Sequence, residues 1–94
     1  MIAISFSWDS AKASANKAKH GVAFEEAQSV FYDEAALLIP DPAHSRLEDR
    51  FILMGLSFKL RLLLVCHCYR QQDGVIHIIS ARKATKSEAR QYPR

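Results

Sequence analysis

Arg82 closes an apolar run, Ile78-Ile79-Ser80-Ala81, that leads directly into Lys83 and the helix-capping residue Thr85. A guanidinium at a strand end, beside a helix N-terminus, can hold a phosphate through two parallel hydrogen bonds. The structural alternative for Arg82 is a salt bridge to Glu48 or Asp49, or a bond to a backbone carbonyl. Alternation along a regular strand sets Arg82 on one face with Ile76, Ile78 and Ser80.

The histidines offer proton transfer, because imidazole titrates near neutral pH. His20 ends a helix beside Lys19 and Gly21, where its plainest role is contact with the negative helix end. His44 falls in a polar loop and reads as solvated. His67, on a strand face with Leu63, Val65 and Tyr69, reads first as a satisfied core histidine. The same holds for His77, which alternates with Val75 and Ile79. Cys66-His67-Cys68 invites a metal ion, but alternation sends both thiols to one face and the imidazole to the other. A structural zinc needs four ligands, and no second CxxC or HxxxH pair exists. Both cysteines therefore read as small hydrophobes. No phosphate loop, dinucleotide fingerprint, GxSxG or HExxH is present.

The elements that must position these groups belong to a chain of 94 residues, 49% of them hydrophobic and only six of them Gly or Pro. That fits a single domain spanning 1–94 and argues against disorder. The longest apolar runs, Ala35–Ile39 and Leu62–Cys66, fall far short of the roughly 20 residues of a membrane span. Met1–Ser10 has no signal-peptide pattern, so reduced thiols and a cytoplasmic location are expected. Residues 1–50 hold 5 Lys/Arg and 8 Asp/Glu, a net of −3; residues 51–94 hold 8 and 2, a net of +6. A basic end carrying Arg82, Lys83, Lys86, Arg90 and Arg94 suits a polyanion or an acidic partner, or is simply a solvated helix face.

Ile2–Phe6 reads as a first strand. Asp9 or Ser10 caps a helix whose narrow stripe is Trp8, Ala11, Ala15, Ala18 and Val22, ended by a left-handed Gly21. A second helix, about Phe24–Tyr32, buries Phe24, Ala27, Val30 and Phe31, with Glu25 and Glu26 in its first turn. Strands follow at Ala36–Ile39, Arg50–Leu56, Leu62–Arg70 and Val75–Arg82, with a polar loop at Asp41–Asp49 and a hairpin turn at Gln71–Gly74. Thr85-Lys86-Ser87-Glu88 matches a capping box, and Pro93 limits the helix it starts. The expected fold is α+β: an antiparallel meander covered on one face by two N-terminal helices, with a short C-terminal helix.

Several blocks carry a resemblance. They are Trp8-Asp9 with Lys12 and Asn16; Lys19-His20-Gly21-Val22 with Phe24-Glu25-Glu26-Ala27; Phe31 and Asp33; Glu48, Arg50-Phe51 and Gly55; and Ile78–Thr85 with Glu88 and Tyr92. In this order and spacing they resemble the BrnT family of bacterial toxins, over nearly the whole chain. The resemblance implies a RelE-like fold and a type II toxin that cleaves RNA and halts translation. It also implies a ribbon-helix-helix antitoxin, in a heterotetramer of two toxins on an antitoxin dimer. The chain departs from the family at His77, often Arg there, and at Ala23, usually a polar cap. It departs again at Pro93, which cuts the last helix.

A ribonuclease that uses no cofactor and no metal takes the RNA 2′-hydroxyl as its nucleophile. It needs a base, an acid and cations about the phosphorus. Arg82 is assigned to the scissile phosphate, with Arg50 or Lys19 helping to neutralise charge and Lys83 and Lys86 extending the phosphate track. His20 is the first acid–base candidate, followed by Tyr92 and His67. Two other classes stay open. One is a non-catalytic basic module that binds an antitoxin or RNA. The other is a small metal-binding protein using Cys66 and Cys68.

Overall fold

Asp9 starts the first helix: in the computed structural model, which describes residues 4–40 and 49–93, its carboxylate accepts from the Lys12 amide at 3.0 Å. The helix α1 (Ser10–His20) ends on Gly21, whose φ of 71° lets its amide close on the Lys17 carbonyl. Before it lies a short strand β1 (Ser5–Ser7); after it comes α2 (Phe24–Ser29), running into a 3₁₀ turn at Val30–Tyr32. Ala23 supplies no side-chain cap to α2. The remaining elements are β2 (Leu37–Pro40), β3 (Phe51–Leu56), β4 (Leu62–Arg70), β5 (Val75–Lys83) and α3 (Lys86–Ala89). The sequence expectations for Ile2, for the loop from Asp41 to Glu48 with His44, and for Arg94 lie outside the described residues.

The sheet order is β1-β5-β4-β3-β2. The β2–β3, β3–β4 and β4–β5 pairs are antiparallel, as the hairpin spacing requires, but β1 lies parallel to β5. The sheet is therefore mixed, which corrects the all-antiparallel expectation. A strand that leaves the sheet through two helices can return beside any edge, and nothing in its local pattern specifies direction.

Val22, Phe24, Ala27 and Val30 pack on Leu63, Val65, Ile78 and Ala81 to form the core. This burial follows from alternation in β4 but not in β5. The register slips between Cys66 and His67, pairing Cys66 with Ser80 and His67 with Ile78. Ile79 is thus an inserted bulge residue. Ile78 turns under the helices while Ser80 and Arg82 face away, correcting the single face expected for Ile78 and Arg82.

The α1 stripe also differs from expectation. Ala11, Ala15 and Ala18 are exposed, and Ala13 and Asn16 face inward. Trp8 and Val22, which anchored that stripe, lie outside the helix, so the helical period does not reach them. Asn16 sets the rotation instead. Its amide donates to the carbonyls of Val22 and Ala81, both at 2.9 Å, and its oxygen accepts from the Ala81 amide at 3.0 Å. Beyond the end of β1, Asn16 thereby takes over the edge hydrogen bonds of β5.

Under α2, Glu26 is almost fully buried. Arg61 grips it with Nε at 2.8 Å and with Nη2, and Ser57 Oγ donates to it at 2.6 Å. The guanidinium holds the Glu26 carboxyl below its usual range, against the opposing effect of burial. Gly55 passes close beneath the 3₁₀ turn: a Cβ there would sit 2.9 Å from Val30 Cγ1 and 3.0 Å from both Ala36 Cβ and Asp33 Oδ2.

Candidate functional site

The face of the sheet away from Val22, Phe24 and Val30 carries a cleft of about 230 Å³. It is lined by His20 from the end of α1, Arg50 ahead of β3, Cys66 from β4, and Ser80 and Arg82 from β5, over Ile52 and Leu64. The bulge at Ile79 makes this possible, because it turns Ser80 and Arg82 outward just where α1 ends. Arg82, Ile52 and Leu64 also wall a neighbouring, more apolar cavity of about 330 Å³ closed by Met54, Glu88 and Gln91. On the other side, His20, Ile79 and Ser80 border a shallow depression with Lys12 and Lys19.

Arg82 is paired with Glu88, where the sequence pointed to Glu48 or Asp49 as its salt-bridge partner. Nη1 and Nη2 donate to the two carboxylate oxygens of Glu88, each at 2.8 Å. Nη1 also donates to the Lys83 carbonyl at 3.2 Å. The ion pair and the Thr85 amide bring the Glu88 carboxyl down to about 2, and the carboxylate raises the Arg82 guanidinium further. Glu88 was legible as the second half of a capping box, and that box is formed. Its second task has no sequence signal of its own.

The structure brings His20, Arg50 and Arg82 to one cleft, with Lys19 beside it. Lys83 and Lys86 are exposed at the end of β5 and the start of α3. His67 is elsewhere. It is fully buried on the helix-covered face, edge-on to Phe31 at 4.8 Å. Its Nδ1 donates to the Val65 carbonyl at 3.1 Å, and its Nε2 accepts from the Tyr69 hydroxyl at 3.2 Å. Burial lowers its basicity, so it stays neutral. That is a core histidine, out of reach of the cleft. Tyr92 is also committed, donating to Asp33 Oδ2 at 2.5 Å. The same oxygen takes the Leu56 amide at 2.8 Å, and Oδ1 takes the Ala35 amide at 3.0 Å. Burial pushes the Asp33 carboxyl up, and these three donors together bring it below its ordinary value. Tyr92 is pushed up by the carboxylate it serves.

His77, the departure on β5, bonds Ser7 Oγ through Nδ1 at 2.7 Å across the parallel pair. Cys66 lines the cleft and Cys68 is buried. Among the described residues no three His, Cys, Asp or Glu side chains gather as metal ligands, and no helix is long and apolar enough to cross a membrane.

Comparison with known proteins now gives this geometry a context. A crystal structure of the Brucella abortus ribonuclease toxin BrnT superposes with a TM-score of 0.69 at 24% identity, covering 89% of this chain and all of that one. At that identity the likeness establishes the fold. A search of curated protein sequences gives no match. The family profile described as "Ribonuclease toxin, BrnT, of type II toxin-antitoxin system" matches residues 8–88. The chain therefore belongs to the BrnT family of ribonuclease toxins of type II toxin–antitoxin systems.

Proposed function

We propose that this chain is a metal-independent endoribonuclease whose site is the His20–Arg50–Arg82 cleft, and that it acts in the cytoplasm to inhibit translation. The observation that carries the reading is the convergence of one imidazole and two guanidiniums from three separate elements. In the reaction, a base removes the 2′-hydroxyl proton and the oxygen attacks phosphorus. The P–O5′ bond breaks as an acid protonates the leaving oxygen. Products carry a 2′,3′-cyclic phosphate and a 5′-hydroxyl. Arg82 and Arg50 stabilise the charge that builds on the phosphorane oxygens. His20 exchanges the proton, and Lys19, Lys83 and Lys86 guide the flanking phosphates. The RelE-like description and the ribbon-helix-helix antitoxin, two toxins to one antitoxin dimer, belong to the same proposal. Their support is the family membership.

The test is cleavage of a defined single-stranded RNA in EDTA, with a 2′-deoxy strand as control. Cleavage should survive EDTA and fail on the deoxy strand. Arg82→Ala should lower it at least about tenfold. The same change should cost no more than about 1 kcal/mol of stability, since the ion pair it removes is half-exposed and screened by solvent. Activity lost to EDTA, or an Arg82→Ala variant that cleaves normally, refutes the proposal. A fall in folding stability matching the loss of cleavage would make Arg82 structural.

A further inference from the structure

Arg82 has five N–H donors. Nη1 directs its two hydrogens at Glu88 Oε1 and the Lys83 carbonyl, and Nη2 directs one at Glu88 Oε2. Among the described residues nothing else accepts from Arg82, which leaves the second Nη2 hydrogen and Nε–H. These two lie on one edge of the guanidinium plane, parallel to each other, in the spacing that matches an oxyanion.

Glu88 is itself held firmly. Its Oε1 accepts the Thr85 amide at 2.9 Å, and its own amide donates to Thr85 Oγ1 at 3.1 Å. It lines the apolar cavity beside Gln91 and is absent from the wall of the His20–Arg50 cleft, whereas Arg82 lines both. The carboxylate takes the Nη1–Nη2 edge of the guanidinium and leaves the Nη2–Nε edge, on an arginine that lines the His20–Arg50 cleft.

We propose that Glu88 is a positioning residue: it clamps one fork of Arg82 and thereby holds the other toward the His20–Arg50 cleft, for a non-bridging oxygen of an RNA phosphodiester. This rests on the nuclease reading above. An unclamped arginine on this strand end would sample several rotamers, and ordering it at the moment of binding would weaken each phosphate contact. Glu88 keeps its charge across the whole pH range of RNA work.

The experiment compares wild type, Glu88→Gln, Arg82→Ala, the double variant and Thr85→Ala. Binding is read on a 2′-O-methyl RNA, which cannot be cleaved, over a salt series. Cleavage is read on unmodified RNA, and thermal midpoints report folding. Glu88→Gln should weaken binding and slow cleavage about tenfold each, and lower the salt slope by about 0.7, one single-strand phosphate contact. The double variant should match Arg82→Ala alone, because the clamp acts only through that arginine. Thr85→Ala loosens α3 but keeps the Arg82–Glu88 pair, so its binding and slope should stay at wild-type values. A Glu88→Gln protein that binds more tightly, or one that behaves as wild type, overturns the inference. So does a Thr85→Ala protein that loses as much as Glu88→Gln, since the role is then the stability of α3. If the binding pattern holds but wild type cleaves no RNA, the clamp stands and the nuclease reading falls. If wild type cleaves and Glu88→Gln is unaffected, the reverse is true.

Discussion

Asn16, in the middle of α1, hydrogen-bonds both the amide and the carbonyl of Ala81, the residue immediately before Arg82. The helix that delivers His20 and the strand that delivers Arg82 are thus joined four residues before one group and one residue before the other. A change at Asn16 therefore bears on stability and on site geometry together. Asn16→Ala leaves the Ala81 amide and two carbonyls buried without their partner, at about 1–3 kcal/mol for the unsatisfied groups. Denaturant unfolding should show that loss, and Asn16→Asp should not restore it, since a carboxylate cannot donate to the two carbonyls.

Removing one partner of the Glu26–Arg61 pair should be worse than removing both. Arg61→Ala strands a buried carboxylate and should cost about 3–5 kcal/mol. Glu26→Gln combined with Arg61→Ala should recover much of that, because no charge is then left inside. Chemical denaturation of the three proteins measures the difference. Equal losses in the single and double variants would show that the pair acts through packing alone.

Gly55→Ala places a methyl group against Val30, Ala36 and Asp33 at distances inside van der Waals contact. The 3₁₀ turn must lift, at about 1–3 kcal/mol. The lift also strains the Asp33 carboxylate that holds Leu56 and Tyr92. A lowered thermal midpoint together with altered Tyr92 fluorescence is the expected pair of signals.

His67 gives the fold a dependence on pH of predictable sign. Burial lowers its folded-state basicity below the ordinary 6.5. Below that value the unfolded chain takes up a proton that the folded chain refuses, so stability falls as pH drops through 6.5 and beneath it. Above 6.5 the contribution is flat. His67→Leu should be less stable at neutral pH for loss of the Val65 and Tyr69 bonds, yet should lose less on acidification to pH 5. Parallel slopes for the two proteins would contradict the assignment.

Glu88 acts in a lower window. Its folded value of about 2 lies below the ordinary 4.5, so its contribution is complete above 4.5 and fades as pH falls toward 2. Thermal midpoints of wild type and Glu88→Gln should converge across that interval.

The hairpins, the Asp9 and Thr85 caps and the Gly21 stop were legible because each rests on a local rule about a few neighbouring residues. What escaped was non-local. The direction of β1 depends on where the chain returns after two helices. The rotation of α1 depends on an amide meeting Ala81, 65 residues away. The face of Ile78 depends on one inserted residue at Ile79. For the site, residue chemistry selected His20, Arg50 and Arg82, which share a cleft, but also His67 and Tyr92, whose commitments to Val65, Tyr69 and Asp33 appear only in three dimensions. Glu88 was visible as a cap and not as the partner of Arg82, because a sequence shows which groups can pair, not which pair first.

The parallel strand has a consequence for synthesis on the ribosome. Ser5, Phe6 and Ser7 have their sheet partners at Val75, Ile76 and His77. A nascent chain cannot close that edge of the sheet until β5 has cleared the exit tunnel, and long-range pairings of this kind form slowly. Arg82 lies near the end of β5, so its wall of the cleft arrives together with the strand that closes this edge of the sheet. Until then the His20 and Arg50 walls of the cleft stand without the strand that faces them.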